Sequence, residues 1–399
     1  MTLTPSEVGN SEVESNVGDS RLYLKRLALY CFKNYEELEL NFEAPIVCFL
    51  GNNGEGKTNL LDAIHYLSFC KSYFNSIDSQ NIKHQNDQAS ITGEFERRDQ
   101  FEIIHCALRK SARKVFKRNH KDYDRLSEHI GLLPSVIITP YDIELILEGS
   151  EIRRKFIDST ISQYSSVYLE HLVQYNQALL QRNNLLKTWG KNGGYNADVI
   201  EPWNARLAYH GEFIHTERKK FFEEFTPLFS EVYESISGGK EVVALDFNSD
   251  LNDNKFEDLL LRYIEKDRIL ERTNTGPHKD DIEFMMANLP LKKFASQGQQ
   301  KSFLISLKLA QYILLKKHSG TCPILLLDDL YDKVDEGRVS NLLNWLIKNH
   351  HGQIFITDTH LDRIPKILKE LSATYQTFEI KTSDQRPVTS DQRLVTGDQ

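Results

Sequence analysis

Eight residues at positions 51–58 have the types and spacing that bind the phosphates of a nucleotide. They are Gly51, Asn52, Asn53, Gly54, Glu55, Gly56, Lys57 and Thr58, in the pattern G-x-x-x-x-G-K-T. The strand-like segment PIVCFL precedes this loop and the helical pattern TNLLDAIHYL follows it. Backbone N–H groups of such a loop surround the phosphates, and we expect Lys57 to reach the β- and γ-phosphates. The Thr58 hydroxyl is expected to ligate Mg²⁺, so the sequence predicts a site for ATP and Mg²⁺.

Two neighbouring carboxylates near position 328 supply the acidic half of the same chemistry. In CPILLLDDLYD, residues 324–327 predict a buried strand, and Asp328 and Asp329 follow its last residue. We expect Asp328 to hold Mg²⁺ and Asp329 to orient or deprotonate the attacking water. Because Asp is one methylene shorter than Glu, it reaches the water less well, which predicts slow ATP hydrolysis.

A second glycine-bearing helix start lies in FASQGQQKSFLISLKLAQ, residues 294–311. A soluble helix needs only one capping residue, yet five small or polar residues stand here: Ser296, Gln297, Gly298, Gln299 and Gln300. The segment resembles the signature of ABC-type ATPases, in which one subunit caps the γ-phosphate held by the other. That resemblance implies a homodimer with ATP between its subunits. It also identifies YDKVDEG, with Asp332 and Asp335, as the D-loop that crosses the dimer interface.

Composition restricts the other possibilities. The formal net charge of −8 and the pI near 5.9 mean that nucleic acid must bind through a local patch or an assembly interface. Five cysteines without a CxxC pair predict a reducing compartment and no metal site. No apolar run approaches the roughly 18 residues of a membrane span, and the first 20 residues do not resemble a signal peptide. We expect a cytoplasmic, soluble protein that binds no membrane.

The periodicity of apolar residues predicts an α/β domain interrupted by a helical insertion. Alternating patterns such as ELELNF and FEIIHCAL predict strands, the pattern becomes helical from about residue 150, and strands return with EVVALDF and QIFITD. The predicted organisation is a flexible leader (1–20), the N-terminal part of an ATPase head (21–149), a helical lobe (150–270), the C-terminal part of the head (271–381) and a disordered repeat tail (382–399).

Six ordered motifs resemble the bacterial RecF family of recombination mediators over most of residues 21–375. They are LALYCFKNYEELELNF, GNNGEGKTNLLDAIHYLSFCKSY, ITPYDIELILEGSEIRRKFID, TGPHKDDIEF, FASQGQQKSFLISLKLA and LLLDDLYDKVDEGR. The resemblance implies an ABC-type P-loop ATPase head, with a mixed sheet and flanking helices, carrying an inserted and mostly helical lobe. It further implies weak DNA-dependent ATPase activity and ATP-driven homodimerisation on DNA. The implied roles are in DNA replication, recombinational repair and SOS induction.

The same resemblance implies partners and one further nucleotide contact. The family acts with RecO and RecR to load recombinase at gapped DNA, so junctions between single- and double-stranded DNA are the expected substrate. Lys33 stands where the family usually has Arg in F-R-N-Y and is an ATP-binding candidate. Lys279 also replaces Arg, and Lys lacks the bidentate fork of Arg, so contacts at both positions are expected to be weaker. Phe74 occupies a position that the family often fills with Arg, which puts any charged contact there in doubt.

Several residues have more than one interpretation. The segment RKSARKVFKRNHK predicts a basic hairpin that either follows a phosphate backbone or is solvated, and the run from Arg153 to Lys155 contacts DNA, contacts the dimer partner, or forms a solvated helix face. The DNA-binding candidates are Arg109, Lys110, Arg113, Lys114, Lys117, Arg118, Arg153 and Arg154. His278 is either structural or faces nucleotide or DNA. The γ-phosphate sensor on the last predicted strand is Asp358, Thr359 or His360.

Two other classes of ATPase share parts of this pattern. An SMC-like structural ATPase would need long heptad arms, which the chain lacks. The ATPase subunit of an ABC transporter usually has Glu at the position of Asp329 and does not carry the FKNY and TGPH motifs. The RecF resemblance accounts for all of these features and is the main prediction.

Overall fold

The computed structural model describes residues 21–192, 194–239, 241–329, 336–349 and 352–381. The predicted leader and tail lie outside these residues, and so do the D-loop candidates Asp332 and Asp335. The strands are β1 (Leu22–Tyr30), β2 (Glu37–Asn41), β3 (Ile46–Leu50), β4 (Gln88–Arg97), β5 (Gln100–Arg109), β6 (Ala112–Arg118), β7 (Lys121–Asp122), β8 (Ser135–Ile138), β9 (Val243–Asn248), β10 (Asp281–Met286), β11 (Leu289–Pro290), β12 (Ile324–Leu327), β13 (Ile354–Asp358) and β14 (Tyr375–Glu379). The α-helices are α1 (Lys57–Phe69), α2 (Glu144–Leu147), α3 (Ser150–Tyr164), α4 (Ser166–Asn192), α5 (Ala197–Ser237), α6 (Phe256–Arg262), α7 (Ile264–Leu270), α8 (Leu291–Phe294), α9 (Gln297–Ser319), α10 (Glu336–Asn349) and α11 (Arg363–Glu370).

A five-stranded parallel sheet, in the order β14-β3-β13-β12-β8, brings distant parts of the chain together. Its central strands are buried on both faces and are runs of apolar residues, as strands covered on both sides require. Strands β3, β12 and β13 all end at the same edge, where Leu327 pairs with Ile356 and Leu50 pairs with Asp358. That edge is where ligands bind in open α/β sheets.

Alternate residues of the parallel strands belong to different apolar cores. Val47 and Phe49 of β3 face a core shared with α1 and the second sheet, whereas Ile46, Cys48 and Leu50 face α9, α10 and α11. This alternation follows from the two-residue period of a strand. Helix α1, and with it the loop before it, is therefore held between two sheets.

The second sheet is antiparallel and six-stranded, in the order β2-β1-β4-β5-β6-β7. Strands β5 and β6 pair from Ile104 and Arg118 to Arg109 and Ala112, so the predicted basic hairpin is confirmed as a secondary-structure element. The prediction of a mixed α/β fold is confirmed, with the parallel and antiparallel pairings in separate sheets.

The helices from α3 to α6 pack around another core together with β9 and β10. Helix α5 ends at Gly238, whose φ of +78° is the left-handed conformation common at the C-terminal end of a helix. Buried ion pairs tie these helices to the following segments: Arg182 to Asp267 at 2.7 Å and Arg218 to Asp280 at 2.7 Å. The division into domains at residues 149, 270 and 381 stays a prediction.

Helix α9 is buried along most of its length because it contributes to two cores. Phe303 and Leu307 pack among the helices, whereas Leu309 and Leu315 pack against the parallel sheet. The start of α9 is thus fixed relative to both parts of the molecule. None of the helices in the described residues is long and apolar enough to cross a bilayer.

Candidate nucleotide site

The glycine-rich loop connects β3 to α1 at the carboxyl edge of the parallel sheet. Gly51 has φ +151° and Gly56 has φ +103°, conformations that disfavour any other residue. A Cβ at Gly51 would lie 2.3 Å from the carbonyl oxygen of Ile380, and one at Gly56 would lie 2.3 Å from the Asn34 amide. Both glycines are therefore required by conformation and by space.

Side chains of the loop hold it in a defined shape. The Lys57 ammonium is buried and donates to the carbonyl oxygens of Gly51 at 2.8 Å and Asn52 at 2.7 Å. The Glu55 carboxylate accepts a hydrogen bond of 2.7 Å from the backbone N–H of Asn52. Lys57 is consequently held over the loop, at the wall of the adjoining cleft.

The predicted Mg²⁺ residues meet across 270 positions of sequence. The Thr58 hydroxyl donates to both carboxylate oxygens of Asp328, at 2.9 and 3.1 Å. Thr357, on β13, donates to the same carboxylate at 2.8 Å. The Thr357 oxygen also accepts a hydrogen bond of 2.9 Å from the backbone N–H of Asp329. Asp329 has φ +43°, an uncommon conformation for a residue other than glycine.

The electrostatics of Asp328 suit a site that receives a cation. Burial raises its pKa, the neighbouring Asp329 raises it further, and hydrogen bonds from Thr357 and Thr58 oppose the rise. A buried carboxylate beside a second acid is stabilised by a cation, and a hydroxyl and a carboxylate oxygen are the ligand types that Mg²⁺ takes from proteins. These two side chains therefore fit the expected metal.

A cleft of about 230 Å³ opens beside these residues. Its lining consists of Asn53, Gly54, Gly56, Lys57, Thr58, Asn59, Asp328, Asp329, Thr357 and Thr359. Of the three sensor candidates, only Thr359 lines the cleft. Asp358 is buried and accepts hydrogen bonds from Arg363, and the side chain of His360 is exposed.

Lys33, predicted to contact ATP, forms an ion pair within the fold, whereas the two residues that follow it contact the phosphate loop. The Lys33 ammonium lies 2.5 Å from the buried Asp62 carboxylate on α1 and stacks over the Phe74 ring. Asn34 and Tyr35 instead contact the phosphate loop, donating to the carbonyl oxygens of Glu55 at 3.2 Å and Gly56 at 3.1 Å. The Lys33 charge is thus already paired with Asp62. An ATP contact by Lys33 stays a prediction.

The signature residues form the N-terminal cap of α9. Ser296 accepts a hydrogen bond of 3.3 Å from the N–H of Gln299, whose side-chain oxygen accepts one of 2.7 Å from the N–H of Ser296. This is a capping box. The Gln299 amide also donates to Glu241 at 2.5 Å, and the Gln300 amide donates to the carbonyl of Ala295 at 3.2 Å. Ser296 and Gln297 remain exposed, and neither they nor residues 298–300 line the cleft of the same chain.

Several predicted DNA-binding residues of the hairpin already have acidic partners. Arg118 pairs with the buried Glu102, Lys114 with Asp78 at 3.0 Å, Lys110 with Asp87 at 3.5 Å and Lys117 with Asp122 at 3.4 Å. Arg109 and Arg113 are exposed and form no ion pair within the described part of the chain. These two have the charge most accessible to a phosphate backbone.

The two remaining basic candidates, Arg153 and Arg154, also differ in whether their charge is paired. Arg153 forms a two-pronged pair with Asp281, at 2.7 and 2.9 Å, and also donates to two backbone carbonyls. Arg154 donates from one nitrogen to the carbonyl of Asp280 at 2.7 Å. His278 lies between Tyr175 and the carbonyl of Thr273, and burial lowers its pKa to about 4, so the ring is neutral.

Sequence reasoning missed three polar residues of the site. Thr357 precedes the predicted sensor group by one residue on the same strand, Tyr35 lies in the FKNY motif, and Glu241 follows shortly after the end of α5. Only Tyr35 carried a signal, since it belongs to a motif next to the phosphate loop. The other two reach the site through pairings between strands and helices that are distant in sequence.

Comparison with known proteins gives consistent matches along the chain. The family described as the RecF/RecN/SMC N-terminal domain matches residues 23–382. A Flavobacterium johnsoniae protein named DNA replication and repair protein RecF is 47% identical over 359 residues, which are 90% of this chain and 100% of the relative. A Parabacteroides distasonis protein of the same name is 44% identical over 367 residues, or 92% of this chain and 100% of the relative.

Solved structures agree with these relatives. A structure of the recombination mediator protein RecF-ATP in the RecFOR pathway has a TM-score of 0.82 and 29% identity, covering 88% of this chain and 95% of its own. The corresponding RecF-ATPrS structure has the same TM-score at 27% identity and covers 91% and 98%. The Smc head domain of Pyrococcus furiosus, with a TM-score of 0.52 and 18% identity over 90% and 94% of the chains, shares the fold alone.

Proposed function

The chain belongs to the RecF family of DNA replication and repair proteins, an ABC-type ATPase family, and on that premise we propose that it is an ATP-gated DNA-binding protein. ATP closes two subunits face to face, the closed dimer binds DNA, and slow hydrolysis releases it. The process served is DNA replication, recombinational repair and SOS induction. An SMC-like structural role and a transporter role are not favoured, because near-full-length relatives carry the RecF name.

One observation carries the proposal of a dimer. The cleft of a single chain is lined by the phosphate loop, both acids and two threonines, but by no residue of the segment 296–300. That segment lies at an exposed end of a helix fixed by two cores. A second subunit would complete the site by bringing Ser296 to the γ-phosphate in trans. ATP then favours the dimer because it binds that state more tightly than the monomer.

The residues of the cleft have separate proposed roles. Lys57 binds the β- and γ-phosphates, and the N–H groups of residues 51–58 surround the phosphates. Thr58 and Asp328 would hold Mg²⁺, which would neutralise charge that develops on the phosphate oxygens. Asp329 orients the water and accepts its proton, while Thr359 senses the γ-phosphate. Hydrolysis is weak because the Asp329 carboxylate is one methylene shorter than that of Glu and reaches the attacking water less well.

The expected substrate is DNA with a junction between single and double strands. Dimerisation would bring two copies of the basic hairpin together, with Arg109 and Arg113 presenting accessible charge. The RecF-ATP relative belongs to a RecFOR pathway, which supports RecO and RecR as partners of this chain. The helical lobe at 150–270 and the two parts of the head, 21–149 and 271–381, are the proposed functional divisions.

The test measures molecular mass and DNA binding with and without ATP and Mg²⁺. We expect the wild type to double its mass and bind a gapped duplex with ATP, and we expect Lys57→Ala and Ser296→Arg to lose both properties. Thr188→Arg, on an exposed face of α4, is the control for an added charge and should behave as wild type. Asp329→Asn should keep the dimer and DNA complex but abolish phosphate release. An unchanged mass with ATP at micromolar wild-type protein contradicts the proposal.

A further inference from the structure

A second cleft of about 230 Å³ lies among α3, α4, α5 and the turn before β10. It shares no lining residue with the nucleotide cleft. Three of its lining side chains are cationic, Arg154, Lys155 and Arg218, against two carboxylates, Glu151 and Asp158. The two sequence motifs that build it, GSEIRRKFID and TGPHKDD, have no part in the nucleotide site described above.

The two adjacent arginines of α3 have different environments. Arg153 is bound through its side-chain nitrogens by Asp281 and two carbonyls, so its charge stabilises the fold. Arg154 uses one nitrogen on the carbonyl of Asp280 and forms no ion pair with any described carboxylate. The carbonyl contact fixes the guanidinium while leaving other N–H groups for a ligand in the cleft.

The acidic groups of the cleft are occupied by partners within the fold. Asp158 accepts from the buried Arg218 at 2.8 Å and from the Tyr168 hydroxyl at 2.6 Å. Arg218 is balanced in turn by Asp280 at 2.7 Å. Glu151 pairs with Lys155 at 2.7 Å, but both side chains are 72% exposed, and such pairs are weak and easily exchanged for another anion.

Two more lysines have pKa values that neighbouring cations lower. Lys279 follows His278 of the cleft and has no ion pair in the described part of the chain; partial burial lowers its pKa, and Arg272 and Arg154 lower it further. Partial burial also lowers the pKa of Lys71 at the end of α1, with Lys155 and Lys114 adding to the effect. Of these cations, Lys279 is adjacent in sequence to a residue that lines the cleft.

We propose that this cleft binds a phosphate of the DNA backbone, with Arg154 as its guanidinium contact and Lys155 and Lys279 as flanking cations. A phosphate diester offers the oxygen acceptors that the available Arg154 N–H groups lack, and Arg is well suited to bind it. This inference rests on the proposed DNA binding and assigns a position to one segment of the DNA backbone.

The test is the salt dependence of DNA affinity, measured by fluorescence anisotropy on the full chain with ATP, Mg²⁺ and a labelled gapped duplex. We expect Arg154→Gln to weaken binding by roughly three- to tenfold at 0.1 M salt. We also expect the slope of log affinity against log salt to be shallower by about 0.9, the loss of one phosphate contact. The affinity and the slope of Arg154→Lys should lie between those of Arg154→Gln and the wild type. Lys220→Gln removes the same charge from an exposed site on α5 and should match the wild type.

Each outcome distinguishes the hypotheses. An Arg154→Gln slope and affinity equal to those of Lys220→Gln overturn the assignment of the cleft, whereas failure of the wild type to bind DNA with ATP contradicts the proposed function itself. Inorganic phosphate could stabilise the wild type against unfolding in a saturable way while Arg154→Gln leaves the salt slope of DNA affinity unchanged. That result would show a site for free phosphate and also overturn the assignment. If Arg154→Gln has a lower melting temperature than the wild type, the same salt slope is measured on Lys155→Gln and Lys279→Gln, which change exposed residues.

Discussion

The Thr357 hydroxyl donates a hydrogen bond of 2.8 Å to the Asp328 carboxylate, across two neighbouring strands of the parallel sheet. Its oxygen also accepts from the N–H of Asp329 at 2.9 Å. One hydroxyl thus orients the proposed Mg²⁺ ligand and holds the backbone of the proposed base, which has φ +43°. Thr357 is a positioning residue rather than one that contacts the reacting atoms.

Replacing Thr357 by Val should impair hydrolysis more than nucleotide binding. Val keeps the branched shape but removes both hydrogen bonds, and loss of a partner of this kind typically costs about 10–100-fold in activity or metal affinity. We expect a lower kcat, a higher Mg²⁺ requirement and rescue by Thr357→Ser. Steady-state ATPase assays over a range of Mg²⁺ concentrations measure this. Equal Mg²⁺ dependence and kcat in Thr357→Val and wild type would contradict the positioning role.

The sequence predicted this site unevenly, for a physical reason. Residues 51–58 and Asp328 form local patterns in which a strand ends and a glycine or acid follows, and the structure brings Thr58 and Asp328 within hydrogen-bond distance. Thr357 carries no such pattern. Its role depends on the register that places Leu327 beside Ile356, and a register between parallel strands is set by packing over the whole sheet.

Lys33→Met should lower stability more than ATP affinity. The Lys33 and Asp62 side chains are 14% and 0% exposed, so the substitution leaves a buried carboxylate without its cation. Losing one partner of a buried pair costs about 3–5 kcal/mol, and we expect the lower end because Ser72 and the Tyr73 N–H still donate to Asp62. Thermal unfolding and ATP titration on the same samples measure the two effects.

Two variants serve as controls for the Lys33 prediction. Lys25→Met breaks the partly exposed pair with Glu96 and should cost less than about 1 kcal/mol. Adding Asp62→Asn to Lys33→Met should recover part of the lost stability, since the buried charge is then gone. A Lys33→Met protein with normal melting temperature and weak ATP binding would instead assign Lys33 to the nucleotide.

Acid should destabilise the protein below pH 6.5 through buried neutral histidines. Burial lowers the pKa of His65, His129 and His278 to about 4 in the folded chain. Between pH 6.5 and 4 the unfolded chain binds protons that the folded chain does not. Stability is therefore full above pH 6.5 and falls as pH decreases, by up to about 1.4 kcal/mol per pH unit for each histidine.

Urea midpoints between pH 7.5 and 5 test this for His129, whose ring contacts the carbonyl of Leu67 at 2.6 Å and the hydroxyl of Tyr123 at 2.9 Å. His129→Gln should be less stable at pH 7.5 but lose less stability on acidification. His84→Gln changes an exposed histidine and should follow the wild-type profile. A wild-type midpoint that is constant down to pH 5 would show that these rings are not neutral and buried in solution.

Basic residues show what the sequence could not determine. Arg153 and Arg154 are adjacent and chemically identical, yet one is paired with Asp281 and the other has no ion pair among the described residues. The helical period turns neighbours in sequence by about 100°, so each meets a different segment of the chain. The role of the signature segment 296–300 could not be determined from sequence either. Its capping box forms within one chain, whereas its proposed contact with the γ-phosphate requires a second subunit.

Mixing two inactive variants tests whether that action occurs in trans. In a homodimer of Lys57→Ala, or of Ser296→Arg, each ATP site contains one damaged half. A mixed dimer contains one site with both lesions and one with neither, so ATPase activity and DNA binding should reappear. Equal amounts of the two proteins should regain up to about a quarter of wild-type activity, since half of the dimers are mixed and each has one intact site of two. If Ser296 acted on its own chain, no mixture would contain an undamaged site, and activity would stay absent at every ratio.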